Sequence, residues 1–286
     1  MSIFQRNWIL SQAKEVLKKY VYRPGKTYTI LAGPLRGYKY RVTEDAGWSP
    51  LYGGWEATSQ QVYAGLIKPS FVVYDLGANV GVHALLFAKL AGPQGKVFAF
   101  EPLPQNMAAI EDFKQLNGVG NVEVVGVAAS NAQGTAEFLV GKHNTQGSLV
   151  GIGCETGNTV AVKVERLDDL IKQGLPQPDF IKIDIEGAEA DALEGFDERI
   201  AKSWPVFAID LHTPEQDVRV GAFFKKHGYR LYRVKNHDAE RINRQQSLLS
   251  KIEDLDLGWP NPAGVWGVIV ALHPTRQNLL SPALLQ

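Results

Sequence analysis

Apolar residues along the chain change their period several times, and each change marks a different predicted element. Residues 1–20 carry Phe4, Trp8, Ile9, Ala13, Val16 and Leu17 at helical spacing, which predicts an amphipathic helix. Its apolar stripe suits packing on the body of the protein or on a second subunit of a homodimer. Its basic opposite face also admits a helix lying on a membrane surface. Residues 27–42 predict two strands around a Gly-Pro-containing turn. A Gly- and Trp-rich stretch follows, then a helix from about Ala57 to Leu66, ended by Pro69.

From residue 71 short apolar runs alternate with helical stripes. FVVYDL (71–76), KVFAFE (96–101) and NVEVVGV (121–127) read as strands. Val82, Leu85, Leu86 and Leu90 lie on one helical face, and Met107, Ile110, Phe113 and Leu116 on another. After residue 130 the pattern loosens into two antiparallel strands, GTAEFLV and TVAVKVE, around a Gly/Asn-rich loop at 141–159. Alternation then resumes with strands at 179–187, 204–212, 228–234 and 263–273 and helices from about Ala188 and over Pro214–His227. Strand–helix alternation of this length implies right-handed βαβ units and a parallel sheet, and the near-continuous apolar strands imply cover on both faces. The domain boundaries follow: an N-terminal helix and hairpin over 1–50, and one α/β domain over 51–286 with a polar segment at 235–262 as a lid insertion.

Composition narrows the function classes. The 286 residues hold 30 Lys+Arg against 30 Asp+Glu, and the formal net charge is zero. With no basic stripe and no interleaved aromatics, the chain is not expected to bind nucleic acid. Cys154 is the single cysteine, so an intrachain disulfide and a cysteine zinc cluster are excluded, and a reducing, cytoplasmic location is expected. No apolar run reaches the length of a membrane-spanning helix, and charged residues interrupt residues 1–20, which does not suit a signal peptide.

Four predicted strands end in or just past an acid: Asp75, Glu101, Asp184 and Asp210. Ligands of open α/β sheets bind at the carboxyl ends of the strands. Carboxylates gathered there are costly unless a cation or several hydrogen-bond donors sit among them. The first turn reads D-L-G-A-N-V-G, Asp75 to Gly81. Gly77 and Gly81 permit a tight turn and a close ligand approach, and the helix that follows offers free N–H groups. A plain tight turn accounts for the same glycines. A dinucleotide fingerprint would be G-x-G-x-x-G, but Asn79 stands where its second glycine belongs. Asp75 would repel a pyrophosphate and suits a cation, such as the methionine portion of S-adenosylmethionine. Glu101, 24 residues past Gly77, can accept ribose hydroxyls in either class of protein.

With these residues the chain resembles the FkbM-type S-adenosylmethionine-dependent methyltransferases. The resemblance rests on YGGWE (52–56), VVYDLGANVGVHALLFA (72–88), VFAFEPLPQN (97–106), VVGVAAS (124–130), VERLDDL (164–170) and FIKIDIEGAE (180–189). It implies a class I methyltransferase Rossmann-like fold, with a mostly parallel seven-stranded sheet and helices on both faces. It also implies that Gly77, Ala78, Asn79 and Gly81 contact the methionine end of S-adenosylmethionine, that Asp75 orients its ammonium, and that Glu101 and Pro102 meet the ribose. Ala128 and Ala129, within 127–130, would flank the adenine. Glu56 looks like an upstream acid reaching back to the site, or else a helix N-terminal acid favoured by the dipole. Asn106 supports the turn after Pro102 and Pro104, and Lys182 reads as half of a buried ion pair.

Asp184, Asp210 and His212 are the candidate catalytic residues. His212 has an ordinary pKa near ~6.5, suited to taking a hydroxyl proton. The alternative is a histidine that bonds loop carbonyls beside Pro214. The same three residues form an oxygen-rich set for Mg²⁺, although their spacing does not demand a metal. The other histidines, 143, 227, 237 and 273, read as loop or helix-end residues, and His83 as one that touches the cofactor pocket. The family association implies O-methylation of a small-molecule hydroxyl on a sugar, glycolipid or secondary metabolite. Trp48, Trp55, Trp259 and Trp266, with the hairpin and the 235–266 segment, are candidates for an acceptor wall, or for an ordinary aromatic core. Two other classes compete: an NAD-dependent oxidoreductase, and a non-catalytic cofactor-binding protein.

Overall fold

The computed structural model describes residues 23–43, 48–53, 55–140, 147–149, 158–235, 248–252 and 267–285. The expected N-terminal helix, most of the 235–262 segment, and Cys154, His143, His237, Trp259 and Trp266 lie outside the described residues. The chain divides into two compact units, Met1–Trp55 and Glu56–Gln286.

In the first unit, β1 (Thr27–Thr29) and β2 (Lys39–Arg41) form the expected antiparallel hairpin. Ile30, Leu35, Tyr40, Val42 and Leu51 are its buried apolar side chains. Gly33 and Gly53 cross so closely that a Cβ on Gly33 would stand 2.9 Å from the Gly53 Cα.

The second unit begins with α1 (Ala57–Leu66) and runs through β3 (Val72–Leu76), α2 (Val82–Ala91), β4 (Lys96–Phe100), α3 (Pro104–Asn117) and β5 (Val122–Val125). The chain then leaves the main sheet. β6 (Ala128–Ala129), β7 (Gly134–Val140), β8 (Gly147–Leu149) and β9 (Asn158–Glu165) form a second sheet in the order β6-β9-β7-β8. The antiparallel β7–β9 pair is the one the sequence predicts. After α4 (Leu167–Lys172) the main sheet resumes with β10 (Phe180–Ile183), α5 (Glu189–Glu194), α6 (Ile200–Ser203), β11 (Val206–Leu211), α7 (Pro214–Lys226), β12 (Arg230–Val234), β13 (Leu249–Lys251) and β14 (Gly267–Leu272); α8 (Pro282–Leu285) lies near the C-terminal end.

The main-sheet order among the described residues is β13-β12-β14-β11-β10-β3-β4-β5. Strands β5, β4, β3, β10 and β11 pair in parallel, and β14 runs antiparallel between β11 and β12. This is the class I methyltransferase architecture. Among the described residues the main sheet has eight strands, one more than the seven that the resemblance implies. The extra strand, β13, is three residues inside the polar segment. Its sequence shows no alternation to read, and only pairing with the open edge of β12 makes it a strand.

Side chains of both parities are buried along the central strands: Val73, Tyr74, Asp75 and Leu76 are all fully inaccessible. Both faces of the sheet are therefore covered, as the continuous apolar runs require. Tyr74, Phe98, Phe100, Ile181, Ile183, Phe207 and Ile209 belong to one core cluster. Helix α7 carries a full set of end signals: the Thr213 side chain accepts from Gln216 N, Pro214 opens the helix, acids occupy its first turn and lysines its last.

The order in which strands are added reverses between β3 and β10, which themselves run parallel. The path from β3 steps outward through β4 to β5, while β10 starts the opposite march through β11. A crevice forms at such a switch point, outside the carboxyl ends of the strands.

Candidate active site

The four strand-end acids belong to four adjacent strands, β4, β3, β10 and β11, and so line the rim on both sides of the switch point. The glycine loop joins the two halves. Gly77 has φ 78°, Asn79 φ 51° and Gly81 φ 87°. A Cβ on Gly77 would lie 1.9 Å from the Asp184 carbonyl oxygen, and one on Gly81 would press on the Ile110 side chain. Gly77 is thus required by packing before any ligand is considered, and at Gly81 the positive φ favours glycine. Gly77 lets the β3 turn sit directly against the end of β10.

Glu101 is buried and ties this loop to the end of β4. Its Oε2 accepts from Asn79 N at 2.9 Å and its Oε1 from Leu103 N at 3.0 Å, with the Asn106 side chain as a further partner. Burial nevertheless pushes its carboxyl up to about 7, against those donors. Asn106 thus bonds the acid that precedes the turn through Pro102 and Pro104. Pro102 follows, half-buried, and Ala128–Ala129 sit on β6 where the chain passes from one sheet to the other.

Asp75 is fully buried, and neither of its oxygens has a hydrogen-bond partner among the described residues. Burial raises its carboxyl above the usual range, opposed by the Lys182 ammonium 3.6 Å away. Lys182 is itself buried and also lies 3.0 Å from Asp184 Oδ2. Burial works against its charge, but the Asp184 and Asp75 carboxylates outweigh burial and hold the ammonium charged. The buried ion pair considered for Lys182 is therefore a bridge between two acids on neighbouring strands.

On the far side of the crevice His212 is held at both ring nitrogens. Nδ1 lies 2.8 Å from Oε1 of the fully buried Glu189; a carboxylate oxygen accepts, so Nδ1 carries the proton. Nε2 lies 3.6 Å from both Asp184 Oδ1 and Glu186 Oε2. Burial alone would lower the imidazole pKa, but the Glu189 bond and the Asp184 and Glu186 charges lift it to about 10. Burial likewise pushes Asp184 upward, and Lys182 and His212 reverse that and hold it below the usual range.

Glu56 occupies the position before α1 with φ 44° and makes no capping bond with its side chain. Its Oε2 instead comes 3.6 Å from Nε2 of buried His83. Burial lowers His83 to about 4, so it is neutral at physiological pH. His83 stacks on Phe87 and meets Tyr63 edge-on, below the site. Trp48 packs edge-on against Tyr52 within the first unit. The helix-end reading fits His227, which bonds Asp197, and His273, which stacks on Trp204.

Two groups can be tested against this donor set. Asp184, Asp210 and His212 bring ligand atoms within 4.8 Å of one another. Asp184 is already engaged by Lys182, however, and His212 sits protonated between Glu189 and two further carboxylates. The set is balanced by the chain's own cations and does not suit an ion in that state. A cation-bearing small molecule fits better. Asp75 faces Lys182 through Oδ1, while the buried Oδ1 of Asn79 has no partner among the described residues and is an acceptor beside the glycine loop.

Sequence reasoning named neither Glu189 nor the bridging geometry of Lys182. Glu189 opens a short helix, where an acid is ordinarily a dipole partner, so nothing in the sequence separated it from that role.

A family described as the methyltransferase FkbM domain matches residues 75–231. The hexuronic acid methyltransferase AglP of Haloferax volcanii is 28% identical over 143 residues, 50% of this chain and 56% of the relative. The 2-O-methyltransferase NoeI of Sinorhizobium fredii is 29% identical over 50% of this chain and 65% of its own. The 31-O-demethyl-FK506 methyltransferase FkbM of Streptomyces tacrolimicus is 30% identical over 57% of this chain and 74% of its own. The chain thus spans 56% and 65% of the first two relatives' length. No helix among the described residues is long and apolar enough to cross a membrane.

Proposed function

The chain belongs to the methyltransferase FkbM family, and on that premise we propose that it moves a methyl group from S-adenosylmethionine to a hydroxyl of a sugar, glycolipid or secondary metabolite. The observation that carries this reading is the pairing across the switch point: the buried, unpartnered Oδ1 of Asn79 beside Asp75 on one side, and on the other an imidazole whose Nε2 faces the Asp184 and Glu186 carboxylates. The names of the relatives support an oxygen acceptor: one is a 2-O-methyltransferase and one acts on a demethylated hydroxyl position.

When bound, S-adenosylmethionine supplies an electrophilic methyl carbon on a sulfonium. The chain's residues then bind, orient and manage one proton. The loop from Gly77 to Gly81, with Asn79 Oδ1, receives the ammonium end, and Asp75 adds negative potential behind it. Glu101 retains lone pairs for the ribose hydroxyls while its present bonds fix its position. Ala128 and Ala129 flank the base. As the oxygen–carbon bond forms and the sulfur–carbon bond breaks, the hydroxyl proton passes to Nε2 of neutral His212. Asp184 and Asp210 orient the hydroxyl and stabilise the resulting imidazolium. At rest His212 is protonated, so proton release precedes each turnover.

The test is calorimetry with S-adenosylhomocysteine and with NAD(H). Binding of the first at micromolar strength and none of the second is expected. The reverse result overturns the proposal in favour of an oxidoreductase. A protein that binds S-adenosylhomocysteine but methylates no hydroxyl in a carbohydrate and natural-product screen would instead be a cofactor-binding protein.

A further inference from the structure

We propose that Glu189 is the positioning residue for the base: it fixes which ring nitrogen of His212 faces the acceptor and holds the ring at that angle. This inference rests on the methyltransferase reading for its consequence, not for its geometry. The carboxylate is fully buried at the start of α5, and its Oε1 receives two donors, Gly187 N at 2.9 Å and His212 Nδ1 at 2.8 Å. Its Oε2 has no partner among the described residues. A carboxylate taken out of water is expensive and seldom a net gain for stability alone. A buried acid bonded to one imidazole nitrogen settles the tautomer and aims the other nitrogen.

The backbone is shaped to place it. Glu186 at φ 52° and Gly187 at φ 101° make two successive left-handed residues, which turn the chain so that Glu186 faces Nε2 while Glu189 lies under Nδ1. Asp184 faces the same Nε2 from the end of β10, and Asp210 lies two residues back on the imidazole's own strand. Lys182 reaches the ring only through Asp184.

The docking of α5 does not hang on Glu189. Ala190 N donates to Gln216 Oε1 at 2.9 Å, and Arg219 pairs with both Asp191 and Glu194. Removing the Glu189 charge should therefore release the imidazole while leaving the helix in place. The isosteric Glu189→Gln keeps an acceptor for Gly187 N.

The experiment follows the His212 ring by nuclear magnetic resonance in wild type and Glu189→Gln, with S-adenosylhomocysteine calorimetry on both. Wild type is expected to show a single tautomer with Nδ1 protonated and a midpoint near about 10. Glu189→Gln is expected to move that midpoint at least about tenfold in proton concentration toward neutrality and to mix the tautomers, with S-adenosylhomocysteine affinity within about twofold. An unchanged tautomer and midpoint in the variant overturns the proposal. So does a wild-type ring that exchanges freely between tautomers, a result that decides the matter even if the variant does not fold. If wild type binds no S-adenosylhomocysteine while its ring behaves as expected, the methyltransferase reading fails and the role of Glu189 as holder of the ring stands.

Discussion

The two halves of the rim solve the same electrostatic problem by different means. On the β3–β4 side, Glu101 is surrounded by backbone N–H groups and one amide, all neutral donors fixed by the turn itself. On the β10–β11 side, Asp184, Glu186 and Glu189 are offset by the side chains of Lys182 and His212. Backbone donors cannot titrate or move away, which suits the first half to the proposed cofactor binding. Side-chain cations can lose a proton, which suits the second half to the proposed proton exchange at His212. The proposed division of labour between cofactor binding and proton transfer rests on that difference.

The largest break in the comparison should come from His212→Ala. Turnover should fall by about 10²–10⁴-fold, while S-adenosylhomocysteine affinity measured by calorimetry stays within about twofold. An equal loss of both would mean that the halves are not separable.

Lys182→Met tests what holds the second half together. It leaves Asp75 and Asp184 without their shared cation, and unfolding in urea should show a loss of about 3–5 kcal/mol. The double variant Asp75→Asn with Lys182→Met should recover part of that loss, since only Asp184 then lacks the ammonium and His212 still faces it.

Glu101→Gln addresses the first half, with an expected weakening of S-adenosylhomocysteine of about 10–100-fold. Hydroxyl donors favour the ionised carboxylate. Because burial lifts this group to about 7, wild-type affinity should strengthen as pH rises through about 7 and then level off, and the variant should show no such rise.

The gentlest test uses pH on the second half. His212 has its pKa raised in the folded protein, so its contribution to stability is complete below the ordinary value of 6.5 and is lost as pH rises through about 10. The melting temperature of wild type should therefore fall more between pH 8 and about 10.5 than that of His212→Gln. Turnover should run the other way, rising with pH as the neutral ring appears, until the fold itself weakens.

The sequence by itself determined the alternation of strands and helices, the hairpin, and the placing of Asp75, Glu101, Asp184 and Asp210 at strand ends. These follow from local period and from side chains near one another in the chain, which hydrophobic patterning records directly. It also pointed to His212 two residues past Asp210. It overweighted the need for an outside cation, because it counted acids along the rim and gave Lys182 only one partner. Tertiary structure decided that Lys182 bridges two strands, that Gly77 is small to admit the Asp184 carbonyl, that β13 completes an edge, and that Glu189 lies behind His212. Each of these depends on which strands and helices become neighbours in the folded sheet, which brings residues about 20 to 110 positions apart into contact. No local period encodes which strands become neighbours; that choice is made when the whole sheet buries its two faces at once.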